Sequence, residues 1–81
     1  MWLNNIYPKL TKILRELCRD DTLVATPELK FVDLPGWRPM LYARIMGRVE
    51  EEFDIDIITE MEGRGFMTNL SQLARLIESK L

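Results

Sequence analysis

Apolar residues recur every three or four positions in the first part of the chain, at Leu3, Ile6, Tyr7, Leu10, Ile13, Leu14 and Leu17. That spacing places one apolar stripe on an α-helix. Pro8 falls inside the run and is compatible with a helix whose N-cap is Asn4 or Asn5, because first-turn amides have no intrahelical partner. Arg19, Asp20 and Asp21 then close the helix. Over residues 22–36 the period disappears. Pro27 argues against a continuous helix and biases Thr26 towards an extended backbone. Leu23, Val24, Leu29, Phe31, Val32 and Leu34 are scattered through this stretch, which reads as an ordered loop pinned to the core by its apolar side chains and ended by a turn at Pro35-Gly36.

The helical period returns from about Arg38 to Phe53, with Tyr42, Ile45, Met46, Val49 and Phe53 as the core stripe. Pro39 falls in the first turn, where its fixed φ suits a helix start. Gly47 in mid-helix costs about 1 kcal/mol relative to alanine, so a close backbone approach is expected there. Glu50, Glu51 and Glu52 form an acidic tail that opposes the helix dipole, either a solvated surface or a docking patch. Ile55, Ile57, Ile58 and Met61 predict a short third helix or turn, punctuated by Gly63, Arg64 and Gly65. A last helix starts near Asn69, which with Gln72 has the pattern of a capping box; Leu70, Leu73, Ala74, Leu76, Ile77 and Leu81 supply its buried face. The expected fold is all-α: one domain over residues 1–81, a small bundle of three longer helices and one short helix.

Composition narrows the function classes. The 81 residues are 47% hydrophobic and 30% charged with a formal net charge of −2, which fits a globular chain and gives no bulk attraction to nucleic acid or a membrane surface. No apolar run reaches the ~20 residues that span a bilayer, and the N-terminus lacks the layout of a signal peptide; a cytoplasmic location is expected. Cys18 is the only cysteine, which fits a reducing compartment, and its place at the end of an apolar stripe reads as a small buried hydrophobe rather than a nucleophile. The chain has no histidine, removing the commonest general base and zinc ligand together. Asp54, Asp56, Thr59 and Glu60 lack the glycine and distal glutamate of a calcium loop. Gly63 and Gly65 flank Arg64 with no strand before them, so a nucleotide loop is not supported. No metal, cofactor or catalytic constellation is expected.

One stretch carries a resemblance. Pro35-Gly36-Trp37 forms a turn, the helix after it ends in Glu50-Glu51-Glu52-Phe53, Asp54-Ile55-Asp56-Ile57 follows, and the last helix opens Asn69-Leu70-Ser71-Gln72-Leu73. Residues 31–57 in particular resemble the centre of an acyl or peptidyl carrier protein, and the distance from the turn to Phe53 matches that family without a gap. With the N-terminal helix, the resemblance covers nearly the whole chain and implies the carrier fold. The departure falls at the family's functional position. Where carriers have Asp-Ser, with the serine joined to phosphopantetheine, this chain has Arg38-Pro39, and Met40 takes the next apolar position. Proline has no hydroxyl, so the phosphodiester to the arm cannot form. The only serines, Ser71 and Ser79, lie on the last helix, and no threonine, Thr26 included, stands in a matching context.

The resemblance therefore implies a carrier-like protein that acts by binding a synthase, transferase or ligase of a biosynthetic pathway; the alternative is a genuine acyl carrier of fatty-acid, polyketide or related biosynthesis with an atypical attachment site. The matching helix face docks partner enzymes in the family and is mostly acidic there. Here it offers Arg38, Met40, Leu41, Arg44, Arg48 and Glu51 as the candidate partner-binding residues, with Leu41 expected off the core stripe beside the arginines. Apolar side chains with arginine are a typical interface mixture, although two arginines on an outer face can also be simply solvated. Trp37 is either an exposed anchor or, the favoured reading, packed over the start of its own helix. Trp2 caps the bundle or moves freely. A ligand space bounded by Ile45, Val49 and Leu73 stays open, with nothing in the sequence requiring it.

Overall fold

The computed structural model describes residues 2–61 and 65–81, with side chains described for residues 5–59 and 65–81. The expectations on the side chains of Trp2, Leu3, Asn4, Glu60 and Met61, and on Gly63 and Arg64, lie outside the described residues. In chain order the elements are α1 (Trp2–Cys18), a 3-10 turn (Phe31–Asp33), α2 (Pro39–Phe53), the one-turn α3 (Ile58–Met61) and α4 (Leu70–Lys80). The fold is small and all-α, as the periodicity predicts. Among the described residues the only strand-like pairing is one bridge between Lys30 and Asn69, and no helix is long and apolar enough to cross a membrane.

α1 begins earlier than the Asn4 or Asn5 cap allows, so Pro8 lies inside it rather than in its first turn. An interior proline costs about 3 kcal/mol. Ile6 and Leu10 on either side are fully buried, each worth about 1.5–3 kcal/mol, and together they outweigh the missing bond. Pro8 itself faces solvent. The helix ends on Arg19 at φ 54°, and the Asp20 amide donates back to the Arg15 carbonyl at 3.2 Å, a Schellman closure. α2 ends the same way, with Asp54 at φ 54° and the Ile55 amide on the Glu50 carbonyl at 3.2 Å.

The long loop is held from two sides. On α1, the Thr11 hydroxyl accepts from the Ala25 amide at 2.9 Å and the Arg15 Nε donates to the Leu23 carbonyl at 2.7 Å. On α4, the Leu70 amide donates to the Leu29 carbonyl at 3.0 Å and the Ser71 amide to that of Pro27 at 3.1 Å. These are first-turn amides that a helix cannot satisfy itself. The next one, on Gln72, donates to the Asn69 side chain, and the reciprocal bond completes the capping box read from the sequence.

One core joins all of this. Ile6, Leu10, Ile13 and Leu14 of α1 meet Tyr42, Ile45, Met46 and Val49 of α2 and Leu70, Leu73, Ala74 and Ile77 of α4, with Ala25, Phe31, Leu34 and Ile57 closing the gaps. Several assignments change. Val24 and Val32 are exposed rather than pinned to the core, and so is Leu81; in a loop without period, only every second or third apolar side chain can point inward. Phe53 is half-buried, with the Lys9 ammonium 5.2 Å from its ring centroid. No close approach explains Gly47, since a Cβ there meets nothing within 4 Å.

Candidate functional site

The turn before α2 is built by local bonds: the Leu34 amide donates to the Phe31 carbonyl and the Trp37 amide to that of Leu34, both at 3.1 Å. Gly36 supplies the positive φ of 72° that the reversal needs. Arg38 is the extended N-cap of α2 and makes no side-chain cap bond; Pro39 follows as the first helical residue. No hydroxyl stands there, and its ring fills the place of an amide that would have had no partner.

Beside this helix start a cleft of about 410 Å³ opens between the end of α1 and the start of α2. Its apolar lining comes from Leu17, Met40 and Leu41, and its charge from Arg19, Arg38 and Arg44. The three guanidinium groups are exposed. Of the six candidate residues, the structure thus brings Arg38, Met40, Leu41 and Arg44 together at one cleft. Arg48 and Glu51 do not line it. Arg48 reaches across to Glu16 of α1 at 2.9 Å and towards Glu51 at 3.9 Å, so its charge is already met.

Leu41 corrects the sequence reading. Expected off the core stripe, it is buried at 6% exposure, whereas its neighbour Met40 is 62% exposed. Leu41 shares the core cluster with Leu34 and the buried residues of α1, and a helix that buries more than one stripe has a wider apolar face than the period alone suggests. Met40 is therefore the apolar residue this face presents.

Cys18 also lines the cleft and is half-buried rather than buried. Burial, and secondarily the charge of Asp20, push its thiol above the usual range, which disfavours the thiolate a nucleophile needs. Asp20 is itself held below the usual carboxylate range by hydrogen bonds from the Thr22 hydroxyl and amide.

The charge order along α2 runs against its dipole: the first turn contains no acid and the last turn no base. At the acidic end, Glu50 has a structural use that the sequence does not display. Its carboxylate accepts from the amides of Ile57 at 2.8 Å and Ile58 at 3.0 Å, capping the start of α3. Asp56 is taken up by Thr59, whose hydroxyl donates to it at 3.2 Å. Among the described residues no group of three acidic or cysteine side chains could hold a metal ion.

Trp37 packs inward. Its ring meets Tyr42 of the helix that follows edge to face at 6.1 Å and Phe66 at 6.4 Å, and Tyr42 in turn meets Phe31 at 5.1 Å and Phe66 at 4.7 Å. The Tyr42 hydroxyl accepts from the Met67 amide at 2.9 Å. Phe66 is the residue that sequence reasoning missed in this cluster, because it stands in a loop with no period. Arg19 was equally invisible as a cleft residue, reading only as a helix end. Ile45, Val49 and Leu73, the walls of the ligand space left open above, are each fully buried.

The other hydroxyls are engaged or remote. Ser71 donates to the Asn69 side chain at 2.6 Å and Ser79 to the Leu76 carbonyl at 2.7 Å, both on α4, while Thr26 is exposed on the loop. Compared with models of known protein families and with curated proteins, the chain matches none.

Proposed function

We propose that this protein is an acyl-carrier-like binding module of the cytoplasm, which engages a synthase, transferase or ligase of a biosynthetic pathway without carrying an acyl group. The observation that supports it most directly is the start of α2, where Pro39 occupies the first helical position beside a cleft framed by Arg38, Met40 and Arg44. At that position an arm would need a hydroxyl; what stands there is a ring that starts the helix and a surface of arginine and methionine, two side chains enriched at protein interfaces. The chain is not an enzyme in this reading. It has no histidine, its one thiol is disfavoured as a thiolate, and both serine hydroxyls are hydrogen-bonded within α4.

Intact-mass spectrometry after incubation with a promiscuous phosphopantetheinyl transferase and coenzyme A tests the proposal. An unchanged mass is expected. A gain of one arm would replace it with a genuine carrier loaded at an atypical residue.

A further inference from the structure

We infer that the cleft between the end of α1 and the start of α2 seats an acidic, amphipathic peptide segment of the partner, its carboxylates on Arg19, Arg38 and Arg44 and an apolar side chain against Met40. The inference rests on the binding-module reading and gives the partner its chemistry. Three observations carry it.

The first is charge. The chain has a net charge of −2, yet three arginines converge on one cleft, and the acids of α2 lie at its far end from Glu50 onward. The fourth arginine nearby, Arg48, is matched by Glu16, whereas among the described residues Arg19, Arg38 and Arg44 form no ion pair; Asp20, next to Arg19 in the chain, is taken up by the Thr22 amide and hydroxyl. Guanidinium forks are suited to paired carboxylate oxygens.

The second is backbone. Arg19 holds φ at 54°, a conformation that disfavours any side chain and suits glycine. Closing α1 does not call for an arginine there; a glycine would close it more easily. Asp54 closes α2 at the same φ, so the conformation is the helix stop common to both; what is particular to Arg19 is that this stop sets its side chain at the cleft.

The third is shape. At about 410 Å³ the cleft has the size of a ligand site, but its charged groups are exposed arginines at an open rim, and the Met40 side chain is 62% exposed. An enclosed small-molecule site buries most of its ligand. A cleft that sets exposed arginines beside apolar side chains matches a peptide laid across it.

Fluorescence anisotropy with a short labelled peptide of alternating aspartate and leucine tests this on the full chain. Binding is expected, weakening as salt rises because the charges are at the surface, and a lysine–leucine peptide should not bind. The double variant Arg38→Glu/Arg44→Glu should lose at least about tenfold in affinity and Arg38→Gln/Arg44→Gln a smaller part, while Arg75→Glu, on α4 and near Tyr7 of α1 rather than at the cleft, should bind as the parent does. Helical circular dichroism is expected to stay intact in the first two. No binding of the acidic peptide, equal binding by both double variants, or displacement by free glutamate at the peptide's own affinity overturns the inference. Failure here with the mass still unchanged leaves the unloaded module standing with another interface; a gain of one arm overturns the module whatever the peptide does.

Discussion

Arg48 of α2 lies 2.9 Å from Glu16 of α1, so this basic residue of the second helix serves the packing of two helices rather than the surface beside it. The side chains are 32% and 45% exposed, which sets the scale: pairs of this kind contribute about 0.2–1 kcal/mol. A double-mutant cycle with Arg48→Ala and Glu16→Ala, read by urea denaturation, should give a coupling energy within that range that shrinks in high salt.

Leu41 and Met40 are adjacent and should behave oppositely. Leu41→Ala removes a buried side chain and should cost about 2–3 kcal/mol, the lower part of the usual span, because the site borders an open cleft. Met40→Ala should change stability by less than about 0.5 kcal/mol and reduce binding of the acidic peptide. Denaturation and anisotropy on the same two variants check both halves.

Tyr42 links the aromatic cluster to the segment before α4. Tyr42→Phe keeps the ring contacts and leaves the Met67 amide without its acceptor, at a cost of about 1–2 kcal/mol. Burial raises the Tyr42 phenol above its ordinary 10.0, with the Met67 hydrogen bond acting weakly the other way. The unfolded state therefore ionises first. The stabilisation from the neutral phenol is complete below pH 10 and is lost as pH rises beyond it. The thermal midpoint should fall above that pH, and less so in Tyr42→Phe; Tyr7, raised chiefly by its burial, keeps part of the effect in the variant.

Gly47 is the residue whose replacement should stabilise the protein. A Cβ there meets nothing within 4 Å, and the helix gains about 0.5–1 kcal/mol from alanine. For a domain of this size that is a rise of about 2–8 °C in thermal midpoint, measurable by circular dichroism. An unchanged or lower midpoint would overturn this expectation.

Much of the architecture was legible because it follows from spacing alone. The stripes Ile6–Leu17, Tyr42–Val49 and Leu70–Ile77 repeat every three or four residues, and a helix has no other way to hide them. Asn69 and Gln72 marked the start of α4 through a bond pattern that is local in sequence. Proline at the first position of α2 could likewise be read directly, because its effect depends on its own ring and amide. What tertiary structure alone decided concerns side chains whose role is set by residues far away in the chain. Leu41 is buried because it joins a core cluster with residues of α1 and the loop, Glu50 is a cap because α3 starts beside it, and Arg48 is paired because α1 brings Glu16 within reach. The candidate site divides along the same line. The absence of a hydroxyl at Pro39 belongs to the sequence, whereas the grouping of Arg19 with Arg38 and Arg44 exists only once α1 and α2 pack together. Local bonding and periodicity act over a few residues and survive reading in one dimension; convergence of charge across two helices does not.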